Sequence, residues 1–194
     1  MLKERFCISN EVFADSEIGD WGCDAGLIPY ASETLICDKT LTFREKQIIV
    51  LIVFGFTNRK ISKILSNKNN EQPLSYHTVR SHMHNINEKL DLGSKIEVAI
   101  AAVSRGWVDI PAILQAGYDL PVSRVEDLPP RGKEVLAMMA EGDINKEIAA
   151  KLVIGYPTVR SHVAIILDKL EVENKTQAAV AYLCYQQPIL HPEG

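Results

Sequence analysis

The chain has 194 residues, of which 46% are hydrophobic and 24% charged, and this composition excludes disorder along its whole length. No apolar run approaches the length of a membrane span, the first residues lack a signal-peptide core, and the four cysteines have neither metal-site nor disulfide-framework spacing. We therefore expect a cytoplasmic protein without membrane contact, metal or cofactor. The net charge of −4 is uneven, because residues 41–110 carry +4 while the blocks before and after them are acidic. Only this middle block has the local positive charge that a DNA backbone requires.

Residues 1–40 form an acidic segment with no clear periodicity. Eight acidic and three basic residues give this segment a net charge of −5. We expect it to be a flexible arm or to fold over a neighbouring domain. Its acidic surface is also a candidate contact for a protein partner.

An internal repeat organises the rest of the chain. The string TVRSH occurs at residues 78–82 and again at 158–162, and residues 74–101 match residues 154–181 at 12 of 28 positions. Upstream of these segments the repeat continues at an offset of 87 residues instead of 80. The first copy therefore contains a seven-residue insertion, which we place in an exposed polar loop at 66–73.

Each copy is predicted to contain four short helices. In the second copy, Pro130 begins the first helix, Asn145 is expected to cap the second, Pro157 opens the longer third, and the fourth runs from about Thr176 to Tyr185. Short helix, tight turn and longer helix is the helix-turn-helix pattern. The predicted fold is thus all-α, with tandem domains at 41–108 and 128–187, a structured linker at 109–127 and a tail at 188–194.

Five spaced blocks in each copy resemble the C-terminal DNA-binding domain of LuxR-type regulators. The first copy shows LTFREKQII, FGFTNRKISKIL, TVRSH, EKL and KIEVAIAA; the second shows LPPRGKEVL, EGDINKEIAAKL, TVRSH, DKL and KTQAAVA. The resemblance covers nearly all of residues 41–108 and 128–185. It implies a bacterial helix-turn-helix protein whose third helix enters the major groove of double-stranded DNA.

Two departures from the family pattern bear on the expected architecture. The insertion of the first copy separates the two helices whose relative angle the family fixes with a tight turn. The second copy has Gly132 where the first copy has the family's glutamate, Glu45. Because that glutamate supports domain architecture in the family, its loss is expected to affect stability more than DNA recognition.

The outward faces of the third helices supply the candidate DNA contacts. Arginine can bind guanine or phosphate, asparagine can pair with adenine, and hydroxyl groups and helix-start amides can hold phosphate. In the first copy these candidates are Tyr76, His77, Thr78, Arg80, Ser81, His84 and Asn85, with Arg59, Lys60 and Lys63 on the preceding helix; in the second they are Lys146, Thr158, Arg160 and Ser161.

Some of these residues have a simpler interpretation. The basic residues of the second helix could only solubilise its surface, and Thr78 and Thr158 could only start their helices. Arg80 and Arg160 occupy the position of a basic DNA contact in the resembled family, which favours the functional interpretation. The second copy has Ala164 and Ile165 where the first has His84 and Asn85, so we expect the first copy to provide most of the DNA affinity.

The fourth helices carry more small and apolar residues than a solitary short helix should expose. LuxR-type domains commonly pair through this helix, which implies a homodimer or an internal pseudo-dimer of the two copies. The predicted interface residues are Val98, Ala101, Ala102, Ala178, Ala179 and Leu183.

Two functions from different classes are consistent with the sequence. The first is a sequence-specific transcriptional regulator acting at the nucleoid. The alternative is an adaptor or antagonist that keeps the fold but contacts another regulator or RNA polymerase through the acidic segment or the second copy. The sequence contains no phosphate-binding glycine loop, HExxH or GxSxG motif, so we expect no enzymatic activity.

Overall fold

A computed structural model describes residues 40–66, 74–108, 110–111 and 120–186. The acidic segment up to residue 39, positions 67–73 of the predicted loop, most of the first half of the linker and the tail lie outside the described residues. Every described element is helical, as the sequence predicts, and these ranges contain no strand. None of the helices within these ranges is long and apolar enough to cross a bilayer.

The helices of the two copies correspond one to one. The first copy contains α1 (Phe43–Val53), α2 (Asn58–Ser66), α3 (Tyr76–Leu90) and α4 (Lys95–Ser104). The second contains α5 (Pro130–Ala140), α6 (Asn145–Lys151), α7 (Tyr156–Leu170) and α8 (Lys175–Tyr185). The offset between matching helix starts changes from 87 to 80 residues between the second and third helices, so the first copy has seven more residues between α2 and α3 than the second has between α6 and α7.

The third helix of each copy buries one stripe against its own domain. In α3 the buried residues are Val79, Met83, Ile86 and Leu90, and in α7 they are Val159, Val163, Ile166 and Leu170. Their spacing of three and four residues places them on one helix face. The opposite face of both helices is therefore available to a ligand.

An ion pair between a buried carboxylate of α1 and an exposed lysine of α3 joins these two helices of the first copy. The carboxylate of Glu45, a residue only 1% exposed, accepts hydrogen bonds from Lys89 Nζ at 3.0 and 2.7 Å. It also accepts from the Thr42 amide at 2.7 Å, while the Thr42 hydroxyl accepts from the Glu45 amide, so that both orphan amides at the helix start are satisfied. The structural role expected for this glutamate is thus visible in its contacts.

The second copy lacks this ion pair, because Gly132 takes the place of Glu45 and Pro129 that of Thr42. Its first helix begins instead with Pro130, whose missing amide needs no partner. A Cβ at Gly132 would lie 3.5 Å from Pro129 Cδ, an ordinary van der Waals contact. No close contact therefore requires glycine at this position.

The two copies pack against each other through their fourth helices. Helix α8 contacts both α4 and α1, and its residues Val180 and Cys184 are buried in the apolar cluster of the first copy. Burial there raises the pKa of the Cys184 thiol to about 12, which keeps it protonated.

Polar contacts join the start of α8 to the turn between α1 and α2. Asn174 Nδ2 donates to the Gly55 carbonyl at 2.8 Å, and Gln177 Nε2 donates to the Phe54 carbonyl at 3.0 Å. The equivalent glycine of the second copy, Gly142, lies next to Glu97, the α4 counterpart of Gln177. Each fourth helix thus meets the glycine turn of the other copy, a reciprocity expected of an approximate two-fold relation.

Candidate nucleic-acid interface

The outward face of α3 carries seven predicted DNA contacts on one exposed surface. Tyr76, His77, Thr78, Arg80, Ser81, His84 and Asn85 are all exposed. The Ser75 hydroxyl accepts from the Thr78 amide at 3.1 Å and caps the helix, and it also lies 2.9 Å from the Thr78 hydroxyl. The side chain of Thr78 is therefore partly engaged in starting the helix, consistent with the simpler interpretation of this residue.

Two further side chains of this face interact within α3. The Ser81 hydroxyl donates to the His77 carbonyl at 3.2 Å, and His84 Nε2 lies 3.4 Å from the Glu88 carboxylate one turn later. His84 and Glu88 are both well exposed, so this contact is weak and does not prevent His84 from rotating toward a ligand.

The corresponding face of α7 is exposed in the same pattern. Thr158, Arg160 and Ser161 are exposed, and the Ser161 hydroxyl donates to the Pro157 carbonyl at 3.2 Å, as Ser81 does to residue 77. The cap of α7 is Gly155, which offers no side-chain acceptor to the first amides of the helix. These amides therefore remain better suited to an anionic ligand than those of α3.

The first copy anchors the start of α3 at the base of the insertion. The Leu74 carbonyl accepts hydrogen bonds from the hydroxyls of Ser62 at 2.8 Å and Ser66 at 3.2 Å, both on α2. The Leu74 side chain packs against the first apolar cluster. The chain thus returns to a fixed point on α2 immediately before α3 begins, in spite of the seven extra residues.

The second copy positions α7 through the tight turn between α6 and α7. Arg131, near the start of α5, donates to the Leu152 carbonyl at 2.9 Å. The next residue, Val153, has a φ of +52° and is 90% exposed, a conformation that is strained for a β-branched side chain. Arg131 was not predicted as a site residue, because a contact between the first helix and this turn has no local sequence signal.

The basic residues of the second helices flank these faces. Arg59, Lys63 and Lys146 are exposed, whereas Lys60 is half-buried with its Nζ 4.5 Å from the centre of the Phe56 ring. A cation held over an aromatic ring is less available to a phosphate than a solvated one. Among the predicted phosphate contacts of α2, Arg59 is therefore better placed than Lys60.

Asn145 does not have the predicted role of a helix cap. It is the first residue of α6, and the preceding residue, Ile144, donates its amide to the Glu147 carboxylate at 2.8 Å. Asn145 Oδ1 instead accepts from Lys175 Nζ at 2.5 Å, which links α6 to α8.

The equivalent Lys95 of α4 donates to the Phe56 carbonyl, and burial lowers its pKa to about 8. These half-buried lysines join the fourth helices to the helix-turn-helix units.

The six residues predicted for the fourth-helix interface occupy different environments. Val98 and Ala102 are buried in the first apolar cluster and Ala178 in the second, whereas Ala179 is fully buried outside both clusters. Leu183 packs partly buried against the first cluster, and Ala101 is half-buried.

Sequence reasoning missed several residues that join the two copies. These are Gly55, Asn174, Gln177, Val180 and Cys184. Val180 and Cys184 are one turn apart on α8, and this apolar spacing is a signal that could have identified them.

Comparison with known proteins supports the family resemblance. The model of the family described as bacterial regulatory proteins, luxR family, matches residues 39–102 and 126–182. The chain is similar to three transcriptional regulatory proteins of Bacillus subtilis strain 168. It is 46% identical to DesR over 81 residues (41% of this chain, 39% of DesR), 49% identical to LiaR over 55 residues (28% and 26%), and 49% identical to LnrK over 59 residues (30% and 27%).

These matches cover about two fifths or less of each relative's length. No solved structure matches the chain. The family and relative names describe regulators rather than enzymes. Because both matched segments coincide with the two four-helix copies and together span more than half of the sequence, the chain belongs to the luxR family of bacterial regulatory proteins.

Proposed function

We propose that the chain is a sequence-specific DNA-binding transcriptional regulator that acts at the nucleoid. The observation that carries this proposal is the pair of equivalent helices, α3 and α7, each with a buried stripe behind an exposed face bearing threonine, arginine and serine at matching positions. An exposed helix face with these groups suits the width and chemistry of the major groove.

The residues proposed to contact DNA are those of the outward faces and the second helices. In the first copy, Arg80 and Asn85 are assigned to base edges, and Arg59 and Lys63 to phosphates. In the second copy, Arg160 has the position of Arg80 and Lys146 that of Arg59, and Ser161 and Thr158 are proposed as further contacts. The positive block at 41–110 supports a larger contribution from the first copy, since phosphate neutralisation sets the sequence-independent part of the affinity.

The two domains, 41–108 and 128–187, are proposed to act together as an internal pseudo-dimer. The packing of α4 on α8 and the reciprocal contacts at Gly55 and Gly142 support this arrangement. Dimeric helix-turn-helix proteins bind two half-sites related by the symmetry of the protein. One chain would therefore present two recognition helices to one DNA site.

A salt titration of binding to a random-sequence duplex tests the proposed function. For a DNA-binding protein, the logarithm of the binding constant falls linearly with the logarithm of salt concentration, with a slope of about −0.9 for each neutralised phosphate. Each lost phosphate contact reduces the magnitude of this slope by roughly one. The double variant Arg59→Gln/Lys63→Gln should therefore reduce it by about two. Absence of duplex binding at low salt would instead favour the adaptor function.

A further inference from the structure

The two recognition faces differ at the helix start, where α3 has His77 and α7 has Pro157, and at two neighbouring positions of the central turn. Thr78, Arg80 and Ser81 of α3 have identical counterparts in Thr158, Arg160 and Ser161 of α7. The next exposed pair, however, is His84 and Asn85 in α3 but Ala164 and Ile165 in α7.

Ile165 is a large apolar residue that is exposed on α7. Its side chain is 47% exposed, and it belongs to neither apolar cluster, although its neighbour Ile166 is fully buried. It lies on the same face as Ser161, one turn away. About half of this apolar side chain is therefore available to a ligand.

The chemistry of the major groove identifies an apolar partner for this pair. The C5-methyl group of thymine is the apolar group that base edges present there, and alanine and other apolar side chains contact it. An isoleucine can offer no hydrogen bond to a base edge. By contrast, asparagine at the same position of α3 can pair with the N6 and N7 atoms of adenine.

We propose that the two copies recognise chemically different half-sites, with Ala164 and Ile165 of α7 contacting thymine methyl groups and Asn85 of α3 hydrogen-bonding a base edge. This inference rests on the proposed DNA-binding function and deepens it. Since the two copies have an approximate two-fold relation, the target has two inverted half-sites of different sequence, and one chain binds it in a single orientation.

Replacement of thymine by deoxyuridine tests the proposal, because it removes only the methyl group and keeps every hydrogen-bonding atom. Duplexes that bind the full chain are first selected from a random library, and deoxyuridine is then placed in one half-site at a time. In the half-site of the second copy, each contacted methyl group that is lost should weaken binding about fourfold, as expected for one buried methyl-sized group. The same change in the other half-site should alter affinity less than twofold.

Two variants assign the effect to the named residues. Ala164→His/Ile165→Asn gives α7 the residues of α3 and should abolish the sensitivity to deoxyuridine. The matched control, His84→Ala/Asn85→Ile, gives α3 the residues of α7 and should leave the sensitivity of the second half-site intact. Both variants are checked by thermal melting, and because all four positions are exposed, we expect both to fold.

Three results would overturn the proposal. Selected duplexes whose affinity is unchanged by deoxyuridine in both half-sites would refute the methyl contact but leave the DNA-binding function standing. The selected duplexes could contain only one half-site, and Ile165→Asn could bind them as tightly as the wild type does. This result would also refute the proposal, and it would indicate a protein partner at this face of α7. Failure to select any duplex would refute both the proposal and the proposed function.

Discussion

At the scale of single residues, Glu45 shows how one buried charge is stabilised. Burial alone would raise the pKa of its carboxyl group, but the hydrogen bonds from Lys89 and Thr42 and the charge of Lys89 together lower that pKa below its ordinary value. Its contribution to stability is therefore complete above the unfolded-state pKa of about 4.5 and is lost as the pH falls through the lower folded-state value.

Glu45→Gln should accordingly reduce the free energy of unfolding by about 1–3 kcal/mol at neutral pH, because it removes the charge of the buried carboxylate that pairs with Lys89 and weakens the cap. Urea unfolding at pH 7 and at pH 3 measures this difference, which should narrow at the lower pH. The exposed Glu88 provides the control, and Glu88→Gln should change stability by less than about 0.5 kcal/mol. An equal loss from both variants would contradict the role assigned to Glu45.

Asn87, in contrast to Glu45, is expected to lower the stability of the chain. Among the described residues, its Oδ1 is buried and has no hydrogen-bond partner, and the equivalent position of the second copy is Leu167. Because a buried, unsatisfied oxygen is costly, Asn87→Leu should stabilise the chain by about 1 kcal/mol and raise Tm. The same change at exposed Asn85 should give no such gain. A lower Tm for Asn87→Leu would show that its oxygen is satisfied in solution.

At the scale of secondary-structure elements, the repeat and the helical periodicity predict the helices and buried stripes well. The stripe Val79, Met83, Ile86 and Leu90 follows from local spacing, and Pro130 begins its helix as expected. The hydrogen bonds from Asn174 and Gln177 could not be predicted in this way. They join residues more than a hundred positions apart and depend on how the two copies dock.

A substitution at Gly55 tests how the two copies dock. A Cβ at this position would clash with Gln177 Cγ, and the backbone there has a φ of +74°. Gly55→Ala should therefore cost the strain of a positive φ, about 1 kcal/mol, and in addition displace Gln177 from the Phe54 carbonyl, about 1 kcal/mol more. Equilibrium urea unfolding provides the measurement.

Gly106 is the matched control for this substitution, since it has a φ of +63° and open space where a Cβ would be placed. Gly106→Ala should cost the backbone strain alone. In a Gln177→Ala background, Gly55→Ala should lose most of its excess cost over Gly106→Ala and keep only the part due to Asn174 Nδ2, which would lie 3.0 Å from the new Cβ. An unchanged excess in that background would mean that Gln177 is not the residue displaced.

At the scale of the whole molecule, the contacts of α8 with α1 and α4 should couple the unfolding of the two copies. Val180 is a residue of the second copy that is fully buried in the cluster of the first, so Val180→Asp places a charge at their junction. Calorimetry should show one transition for the wild type and two for this variant. Asn85→Asp, on the exposed face of α3, should retain the single transition.

The central claim is that the chain binds DNA through α3 and α7, with the larger contribution from α3. Fluorescence anisotropy of Arg80→Ala and Arg160→Ala on the same selected duplex, at two salt concentrations, tests it most directly. Arg105→Ala serves as the control because Arg105 is exposed and lies outside both recognition helices. We predict a loss of about 1–3 kcal/mol for Arg80→Ala, a smaller loss for Arg160→Ala and little change for the control. Wild-type affinity in both recognition-helix variants would contradict the claim, and a larger loss from Arg160→Ala would reverse the order of the two copies.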